Sequence, residues 1–568
     1  MFRATYLLLI CIVIIPTLPG IIGVMLSSFS YIPPVGLDSL SLQGYADVLN
    51  WPGISTSSLL TLFTALTSTY LALTICFAIL QSLWRNKHWK RVELVLSPLL
   101  AVPHVAFAIG FAFLFAPTGL TTRIISTLFG VEFNDISTSW LVHDPFAIGL
   151  TLALALKEVP FLLLMSIPIL QQLEIEKLSK VGSSLGYSPS QLWIKVVLPQ
   201  WLAKMRFPLF AVVAYASSVV DFALILGPNT PPTLAMLVWQ WFNDPDLQLL
   251  PRAASGAILL FILTSFLLLL VLLIEKFATH YFKRWQYSGR AGISLPGTSF
   301  FGIITLLSIA IFPLMLIWSY AQRWRFPDIM PSRFSDRFWE SEWPSFLPII
   351  SQSIAIALIT AMITLCLAVL AHEYRIKNKL HIPGYVVAIP MLIPQLSILF
   401  GLQIATLYVS SESYYLWVIW SHIFFAFPFV YLSLDGPWKS YNQNYTRAAL
   451  SLGKSPLQTF FMVKSRLLLP SILYAWAIGA SVSLAQYLPT LILGGGRIAT
   501  VTTEAVALSS GFDRRVTAIY ALWQALLPFV FFTTAILASR LQHRARVKPT
   551  IYQESVPNDA TSRKPRHP

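Results

Sequence analysis

Ionisable side chains are scarce in this sequence. Charged residues occupy 11% of its 568 positions, whereas hydrophobic residues occupy 56%. A soluble protein of this length seldom carries so little charge, so the composition excludes an ordinary globular domain and indicates a membrane protein that crosses the bilayer many times. Cysteine is nearly absent: Cys11, Cys76 and Cys366 lie in separate apolar runs. Without paired spacing, they exclude a disulfide framework and a cysteine-based metal site.

Clusters of histidine and carboxylate residues are missing as well. A multi-span membrane enzyme would place such a cluster at an interface, so we expect no catalytic residues, no metal and no cofactor in this chain. One segment imitates a nucleotide-binding loop, since residues 448–455 read A-x-x-x-x-G-K-S. A P-loop needs glycine at its first position and a preceding strand. Ala448 and its helical context meet neither requirement, so ATP binding by this chain is not expected.

The sequence is rich in long apolar runs. A helix needs about 20 residues to cross a bilayer, and we predict an all-α polytopic membrane protein with about twelve transmembrane helices, six in each half. The runs lie near 6–29, 55–83, 92–115, 145–170, 205–227, 252–275, 298–320, 347–371, 385–408, 414–434, 471–493 and 516–539. The polar stretch 546–568 that follows them is predicted to be a disordered cytoplasmic tail.

Lysine and arginine are distributed unevenly between the loops. If the N-terminus lies in the cytoplasm, 29 of the 39 basic residues fall in cytoplasmic segments, nine fall outside and Lys157 lies within a span. This excess follows the positive-inside rule and predicts that both termini are cytoplasmic. The net charge of +15 results from the same bias, so no nucleic-acid partner is expected. Residues 1–24 begin like a signal peptide, but the apolar run is too long, which favours an uncleaved first span.

A short polar segment occurs twice between apolar runs. Residues 184–191 and 451–458 align without a gap as S-L-G-x-S-P-x-Q, 267 residues apart. Gly186 and Gly453 follow short helical stretches, where glycine adopts the left-handed conformation that ends a helix. The Ser-Pro pairs are expected to cap and begin the next helix. Each copy therefore predicts a rigid helical elbow at the membrane surface. The alternative is an ordinary amphipathic interfacial helix, and the second matched copy argues against it.

The duplication extends into the spans. The interval from Pro103 to Gly110 equals the interval from Pro394 to Gly401. Because six spans separate equivalent points, the two repeats have the same orientation, and a translocation path is expected between them. The predicted units are a first repeat 1–290 with an elbow loop 171–204, and a second repeat 291–545 with an elbow loop 435–470.

The repeated loop resembles the cytoplasmic signature of permease subunits in binding-protein-dependent ABC importers, which reads E-A-A, three residues, then Gly. The second copy, from Arg447 to Gly453, matches except that arginine replaces the acid. The first copy, from Lys180 to Gly186, matches less closely and has Leu-Pro at the expected distance after it. The resemblance covers both halves, and the chain is most similar to fused, twelve-span permeases of the iron(III) and thiamine importer type.

This resemblance implies a function and a set of partners. It implies a permease component of ATP-driven, binding-protein-dependent import in a bacterial inner membrane. The partners would be two copies of a cytoplasmic ABC ATPase and a periplasmic or extracellular substrate-binding protein. ATP hydrolysis would take place in the ATPase subunits, so this chain is not expected to be an enzyme. The elbow residues implied to couple to the ATPases are Lys180, Gly182, Gly186, Ser188, Pro189, Arg447, Ala448, Ala449, Gly453, Ser455 and Pro456.

Polar and ionisable residues inside spans are costly and usually face the protein interior. The candidates for the translocation path are His104, Lys157, Glu158, Asp221, Gln395 and Gln486. A helix-packing hydrogen bond or an interhelical ion pair is the alternative explanation for each of them. An ion-coupled secondary transporter with two parallel repeats is the alternative function, because its coupling charges would also lie near the midplane. The sequence does not identify the substrate.

Overall fold

The all-α fold class is confirmed. A computed structural model describes residues 17–84, 86, 88–131, 141–287, 292–378, 387, 389–409, 413–511 and 513–547. Helices dominate this part of the chain. The sheet within it is a two-stranded antiparallel pair, β1 (Ala321–Arg323) and β2 (Arg333–Phe334).

In the described residues, fifteen α-helices lie in the first half of the chain and eleven in the second. The first half contains α1 (Thr17–Ser28), α2 (Gln43–Leu49), α3 (Ile54–Leu83), α4 (Trp89–Ala101), α5 (His104–Phe115), α6 (Leu120–Phe129), α7 (Ile148–Gln172), α8 (Ile175–Ser184), α9 (Pro189–Leu192), α10 (Leu198–Lys204), α11 (Arg206–Ser218), α12 (Asp221–Leu226), α13 (Leu234–Phe242), α14 (Leu250–Tyr281) and α15 (Lys283–Tyr287). The second half contains α16 (Gly297–Tyr320), α17 (Arg337–Lys377), α18 (Ile389–Leu392), α19 (Gln395–Leu407), α20 (Tyr414–Ser440), α21 (Asn444–Ser451), α22 (Pro456–Thr459), α23 (Ser465–Leu484), α24 (Leu488–Gly494), α25 (Val501–Ser509) and α26 (Arg514–Val547). Short 3-10 helices cover Pro33–Val35 and Leu247–Leu249, and π-helices cover Trp193–Val197 and Phe460–Lys464.

Many of these helices are long enough to cross a membrane. Within the described residues, nine helical segments have the required length and apolar character, and a tenth is formed if the two segments that meet at Met205 with a 63° bend count as one span. The predicted total of twelve also requires the first and ninth spans, of which the short apolar helices α1 and α19 are described. Residues 1–16, with Cys11, and most of the predicted tail lie outside the described residues.

Proline interrupts two predicted spans at matched positions. α4 and α5 are separated at Val102 and Pro103, and α18 and α19 are separated at Ile393 and Pro394. Proline lacks the amide hydrogen that a helix interior requires, and it moves the preceding residue out of the helical region. The apolar run near 92–115 is therefore divided between two helices. The segment of membrane-spanning length begins at His104 instead.

A second pair of breaks interrupts the spans that follow the elbows. α11 ends before Val219, whose backbone is extended, and α12 begins at Asp221. In the second half, α23 ends at Leu484 and α24 begins at Leu488. The apolar runs near 205–227 and 471–493 are therefore each interrupted by a break that the sequence analysis did not predict. Adjacent β-branched valines favour the extended backbone of the first break.

The first helix of each half packs against the other half. α1 packs along α19, and α16 packs along α5. The contact between α1 and α19 is backbone against backbone, because a methyl group placed on Gly401 would lie 1.7 Å from the Gly20 carbonyl oxygen. At the matched contact, a methyl group on Gly110 would lie 2.1 Å from Cγ2 of Ile311. The two halves are therefore interlocked around one buried core that continues across both.

Candidate functional site

The two elbows have the same backbone geometry. Gly186 ends the first helix of one elbow with φ +79°, and Gly453 ends that of the other with φ +80°. The Ser188 hydroxyl then accepts a hydrogen bond from the Gln191 amide at 3.3 Å, while the Gln191 side-chain oxygen accepts one from the Ser188 amide at 2.7 Å. Such a reciprocal capping box fixes the angle at which the chain enters the next helix.

The second elbow repeats this arrangement. The Ser455 hydroxyl accepts from the Gln458 amide at 3.3 Å, and the Gln458 side-chain oxygen accepts from the Ser455 amide at 3.1 Å. The left-handed glycines and the capping serines follow the prediction from the sequence. The roles of Gln191 and Gln458 were missed, although the spacing S-x-x-Q was the signal for them.

A short π-helix follows each capping box and carries a lysine that is 3% exposed, Lys195 in one elbow and Lys464 in the other. Lys464 forms an ion pair with Glu373 at 2.5 Å. Lys195 lies 5.0 Å from the ring of Trp285, in the chain segment that follows α14. A π-turn is rare in helices and often marks a functional site. Each elbow is thus attached to the bundle through a buried cation.

The remaining elbow residues are either buried between the helices of an elbow or exposed to solvent. Gly182 and Ala449 are buried at equivalent positions, and a methyl group on Gly182 would lie 2.8 Å from Cδ1 of Leu192. These small residues let the two helices of each elbow approach closely. The implied coupling residues that face solvent are Lys180, Gly186, Ser188, Pro189, Arg447, Ala448, Gly453, Ser455 and Pro456.

Apolar side chains are exposed at both elbow tips. Leu185 is 66% exposed and Leu452 is 81% exposed, and Leu457 and Phe461 are exposed beside the second tip. A methyl group placed on Gly453 would meet no atom within 4 Å. Exposed apolar patches with a polar rim are typical of protein interaction sites.

Both elbows lie at the same end of the helix bundle, which we name the elbow end. A methyl group on Gly292 would lie 2.7 Å from the Gln191 amide nitrogen, so the chain before α16 reaches the first elbow. α16 runs from there to the other end, where its last turns contact Arg514. From Arg514, α26 returns toward the elbow end antiparallel to α23, with the rings of Tyr474 and Phe532 5.4 Å apart. Since α23 starts in the second elbow, that elbow lies at the same end.

The candidate path residues of the first half form a connected group. His104, the first residue of α5, bonds through Nε2 to Oε1 of Glu158 at 3.1 Å. Its ring lies 4.8 Å from the ring of Tyr215, and it lies near Asp221. Lys157 is directed elsewhere and donates a hydrogen bond to the carbonyl oxygen of Leu99 at 3.2 Å. As predicted, Lys157 and Glu158 do not bond each other.

The second half has a neutral pair at the corresponding place. Gln395, the first residue of α19, donates from Nε2 to Oε1 of Gln486 at 3.0 Å. Gln395 and His104 follow equivalent prolines, and Gln486 lies in the break between α23 and α24. His104, Asp221, Gln395 and Gln486 are all partly exposed.

Two tyrosines lie near Asp221. Tyr215, in α11, belongs to the same half as Asp221. Tyr487, which follows Gln486 at the break of the second half, approaches Asp221 from the other half, with its ring 6.4 Å from that of Trp239. Tyr215 was not predicted, because a tyrosine in an apolar span looks like a core residue. His422 is bonded on both ring nitrogens, to Ser483 at 2.8 Å and Thr490 at 2.9 Å. Those bonds join helices within the second half.

No group of three or more histidine, cysteine, aspartate or glutamate side chains has the arrangement of a metal site in the described part of the chain.

Comparison with known proteins identifies a relative that spans most of the chain. The chain is 30% identical over 503 residues to the inner membrane ABC transporter permease protein YnjC of Escherichia coli K12, which covers 88% of this chain and 91% of that protein.

Two shorter matches are named spermidine/putrescine transport system permease protein PotC homolog. The one from Mycoplasma pneumoniae is 26% identical over 26% of this chain and 52% of its own length, and the one from Mycoplasma genitalium is 28% identical over 23% and 45%. No protein-family model matches the chain. The long match to YnjC, together with the two elbows and the apolar helices, shows that this chain belongs to the ABC transporter permeases of the inner membrane.

Proposed function

We propose that this permease forms the translocation path of an ATP-driven importer, receives its substrate from a separate binding protein, and is driven by two ATPase subunits that dock on its two elbows. The observation that carries the proposal is the pair of matched elbows at one end of the bundle. A single interfacial helix needs no second copy in the same conformation. Two copies fit a partner that is itself present twice.

The exposed chemistry of the elbows supports a docking role. Leu185 and Leu452 project from the tips, and the left-handed glycines beside them leave open space above the backbone. An ATPase groove would bury these leucines and approach the glycine backbone closely. The acid of the family signature is replaced by Lys180 and Arg447, both exposed, so the ATPase surface that faces them would carry acidic rather than basic groups.

The helices that leave the elbows connect them to the candidate path. α11 follows the first elbow and ends at the break before Asp221, and α23 follows the second elbow and ends at the break that contains Gln486. A capped elbow resists bending. Movement of an ATPase would therefore displace these two helices as rigid bodies. Asp221, His104 and Gln486 would then move relative to one another, which would open the path toward one side at a time.

The same proposal fixes the orientation and the composition of the complex. The elbow end would face the cytoplasm, and the opposite end would meet the binding protein, with both termini inside. The units 1–290 and 291–545 would act as the two permease halves in one chain. A complex would therefore contain one copy of this chain and two ATPase subunits.

Substitution of the elbow glycines tests the proposal. Gly453→Val places a β-branched residue at positive φ, which costs about 1–2 kcal/mol of backbone strain, and adds bulk where the ATPase would dock. We expect ATPase co-purification and uptake to fall about tenfold, with Gly186→Val giving a similar result. Gly36→Val is the matched control, because Gly36 has φ +83° and open space but lies outside the elbows. Unchanged ATPase association in both elbow variants would contradict the docking role.

An ion-coupled secondary transporter is the second candidate, since His104, Glu158 and Asp221 are ionisable groups in membrane helices. Reconstitution in liposomes separates the two functions. The ABC proposal predicts uptake only when the ATPase subunits, the binding protein and ATP are all supplied. Uptake by the permease alone under an imposed ion gradient would favour the secondary transporter.

A further inference from the structure

A cleft of about 440 Å³ lies between the two halves at the end of the bundle opposite the elbows. α6 of the first half supplies one wall. The end of α16, the strand β1 and the loop after it supply the second wall, and the start of α26 supplies the third. The residues that line it are Thr118, Arg123, Trp318, Ala321, Gln322, Trp324, Phe326, Asp513, Arg514 and Arg515.

Arg123 carries a buried charge whose hydrogen-bond partners are all neutral. The residue is 3% exposed. Its guanidinium donates to the carbonyl oxygens of Thr118 at 3.0 Å, Arg325 at 2.8 Å and Asp328 at 2.8 Å, and it lies 4.9 Å from the ring of Trp324. Carbonyl dipoles and an aromatic face orient a cation without neutralising it. No carboxylate of the described residues lies within ion-pair distance of Arg123.

Arg514 places a second cation beside the first. Its guanidinium lies 5.3 Å from the ring of Trp318 and donates to the same Thr118 carbonyl oxygen at 3.3 Å. In the described structure it makes no ion pair, so it retains N–H donors that the protein does not use. Arg515 differs, because Asp513 holds it through bonds of 2.8 Å and 3.1 Å. Arg514 is therefore the residue of the cleft whose N–H groups remain available to bind a ligand.

Two neighbouring cations in a partly buried site repel each other, and a charge removed from water without a counter-ion raises the free energy of the folded state. An anion between them would remove both penalties. Phosphate and carboxylate match the planar fork of a guanidinium. Gln322 favours a ligand that also carries a hydrogen-bond donor, because the side-chain oxygen of Gln322 is buried and has no hydrogen-bond partner among the described residues. A hydroxyl group next to the anion would satisfy it.

We propose that this cleft binds a phosphate ester that carries a neighbouring hydroxyl group, with Arg514 as its principal ligand and Arg123 as the fixed charge behind it. The site is separate from the elbows and from the candidate path. It joins α6 of one half to α16 and α26 of the other, so an occupied cleft holds the two halves together at this end. The phosphate ester is either a soluble molecule or a phospholipid headgroup, since the cleft lies where the membrane helices end.

A comparison within the chain supplies a matched control. Arg252 also lies over two tryptophans, at 4.8 Å from the Trp51 ring and 5.4 Å from the Trp241 ring. Its charge is neutralised by Asp244 at 3.2 Å. Because Asp244 already balances the charge of Arg252, this arginine requires no external anion although its aromatic surroundings are the same. Arg252→Gln is therefore expected to leave phosphate-ester binding unchanged.

The test uses the full chain, purified and delipidated in a maltoside detergent that contains no phosphate. Isothermal titration calorimetry measures binding of glycerol 3-phosphate, with glycerol as the uncharged control. Native mass spectrometry measures retention of phosphatidylglycerol added in mixed micelles. Binding of glycerol 3-phosphate identifies a soluble ligand, and retention of phosphatidylglycerol alone identifies a lipid headgroup. Either result supports the site, provided that the Arg514→Gln variant binds the same probe about tenfold or more weakly. Loss of a charge-assisted contact requires a decrease of this size.

Two results would overturn the proposal: wild-type protein that binds neither probe, or an Arg514→Gln variant that binds as well as wild type. If Arg514→Gln does not fold, Arg514→Lys replaces it. Lysine keeps the charge but lacks the bidentate fork, so binding should weaken about threefold or more. Equal affinity in Arg514→Lys and wild type would then contradict the assigned ligand.

Discussion

The two halves of this permease are nearly identical at their elbows and different at their inner breaks. Both elbows contain a left-handed glycine, a Ser-x-x-Gln capping box and a π-turn. At the breaks, the first half presents His104, Glu158 and Asp221, whereas the second presents the neutral amides of Gln395 and Gln486. Under the proposed function, two ATPase subunits would require two equal docking surfaces. A single substrate molecule between the halves would have no such symmetry, so the groups lining its path would be free to differ.

The two contacts that interlock the halves also differ from each other. Gly401 meets the backbone of Gly20, while its counterpart Gly110 meets the side chain of Ile311. A backbone contact cannot be relieved by rotating a side chain, so the α1–α19 contact has less tolerance than the α5–α16 contact. Substitution of Gly401 is therefore expected to destabilise the fold more than substitution of the equivalent Gly110.

The largest effect is expected from this interlocking pair. Gly401→Ala overpacks backbone against backbone, and we expect it to lower the free energy of unfolding by about 3 kcal/mol. Gly110→Ala should cost about 1–2 kcal/mol, because the atoms nearest to the added methyl group all belong to the side chain of Ile311 rather than to a backbone. Thermal unfolding in detergent measures both. Gly302→Ala, which meets no atom within 4 Å, is the control. Equal destabilisation by the first two variants would remove the distinction between the contacts.

A second comparison concerns the inner breaks. Asp221→Asn removes the charge and is expected to reduce uptake about tenfold, because contacts to charged groups contribute about 1.5–3 kcal/mol. Gln486→Ala removes a neutral hydrogen bond and is expected to reduce uptake about threefold, corresponding to about 0.5–1.5 kcal/mol. ATPase co-purification should be normal in both variants. If Asp221→Asn transports as well as wild type, the residue has a packing role and the halves are functionally alike.

The smallest effect is expected within the elbows. Gln458→Ala removes one half of a capping box and should destabilise its helix start by about 0.5–1 kcal/mol. Gln191→Ala should cost more, because Gln191 is buried next to the chain segment at Gly292. Amide hydrogen exchange at the two elbows measures local opening without requiring global unfolding. Gln200→Ala, outside the capping box of the first elbow, is the control. Faster exchange in Gln458→Ala than in Gln191→Ala would contradict the assigned role of that segment.

Local features of this protein were predictable because neighbouring residues determine them. The conformations of Gly186 and Gly453 and the Ser-Pro starts of α9 and α22 depend on a few consecutive residues, and they were predicted. The apolar runs were recognised because burial in lipid requires them. The break at Val219 was missed, since no proline or glycine marks it.

The sequence by itself determined the membrane class, the duplication and the shape of the elbows, because hydropathy, repetition and capping act over short distances along the chain. Only the tertiary structure decided which residues meet between the halves. The contact of Gly20 with Gly401, the approach of Tyr487 to Asp221 and the pairing of Arg123 with Arg514 join residues hundreds of positions apart. Such contacts depend on how whole helices pack, and no local pattern in the chain specifies that packing.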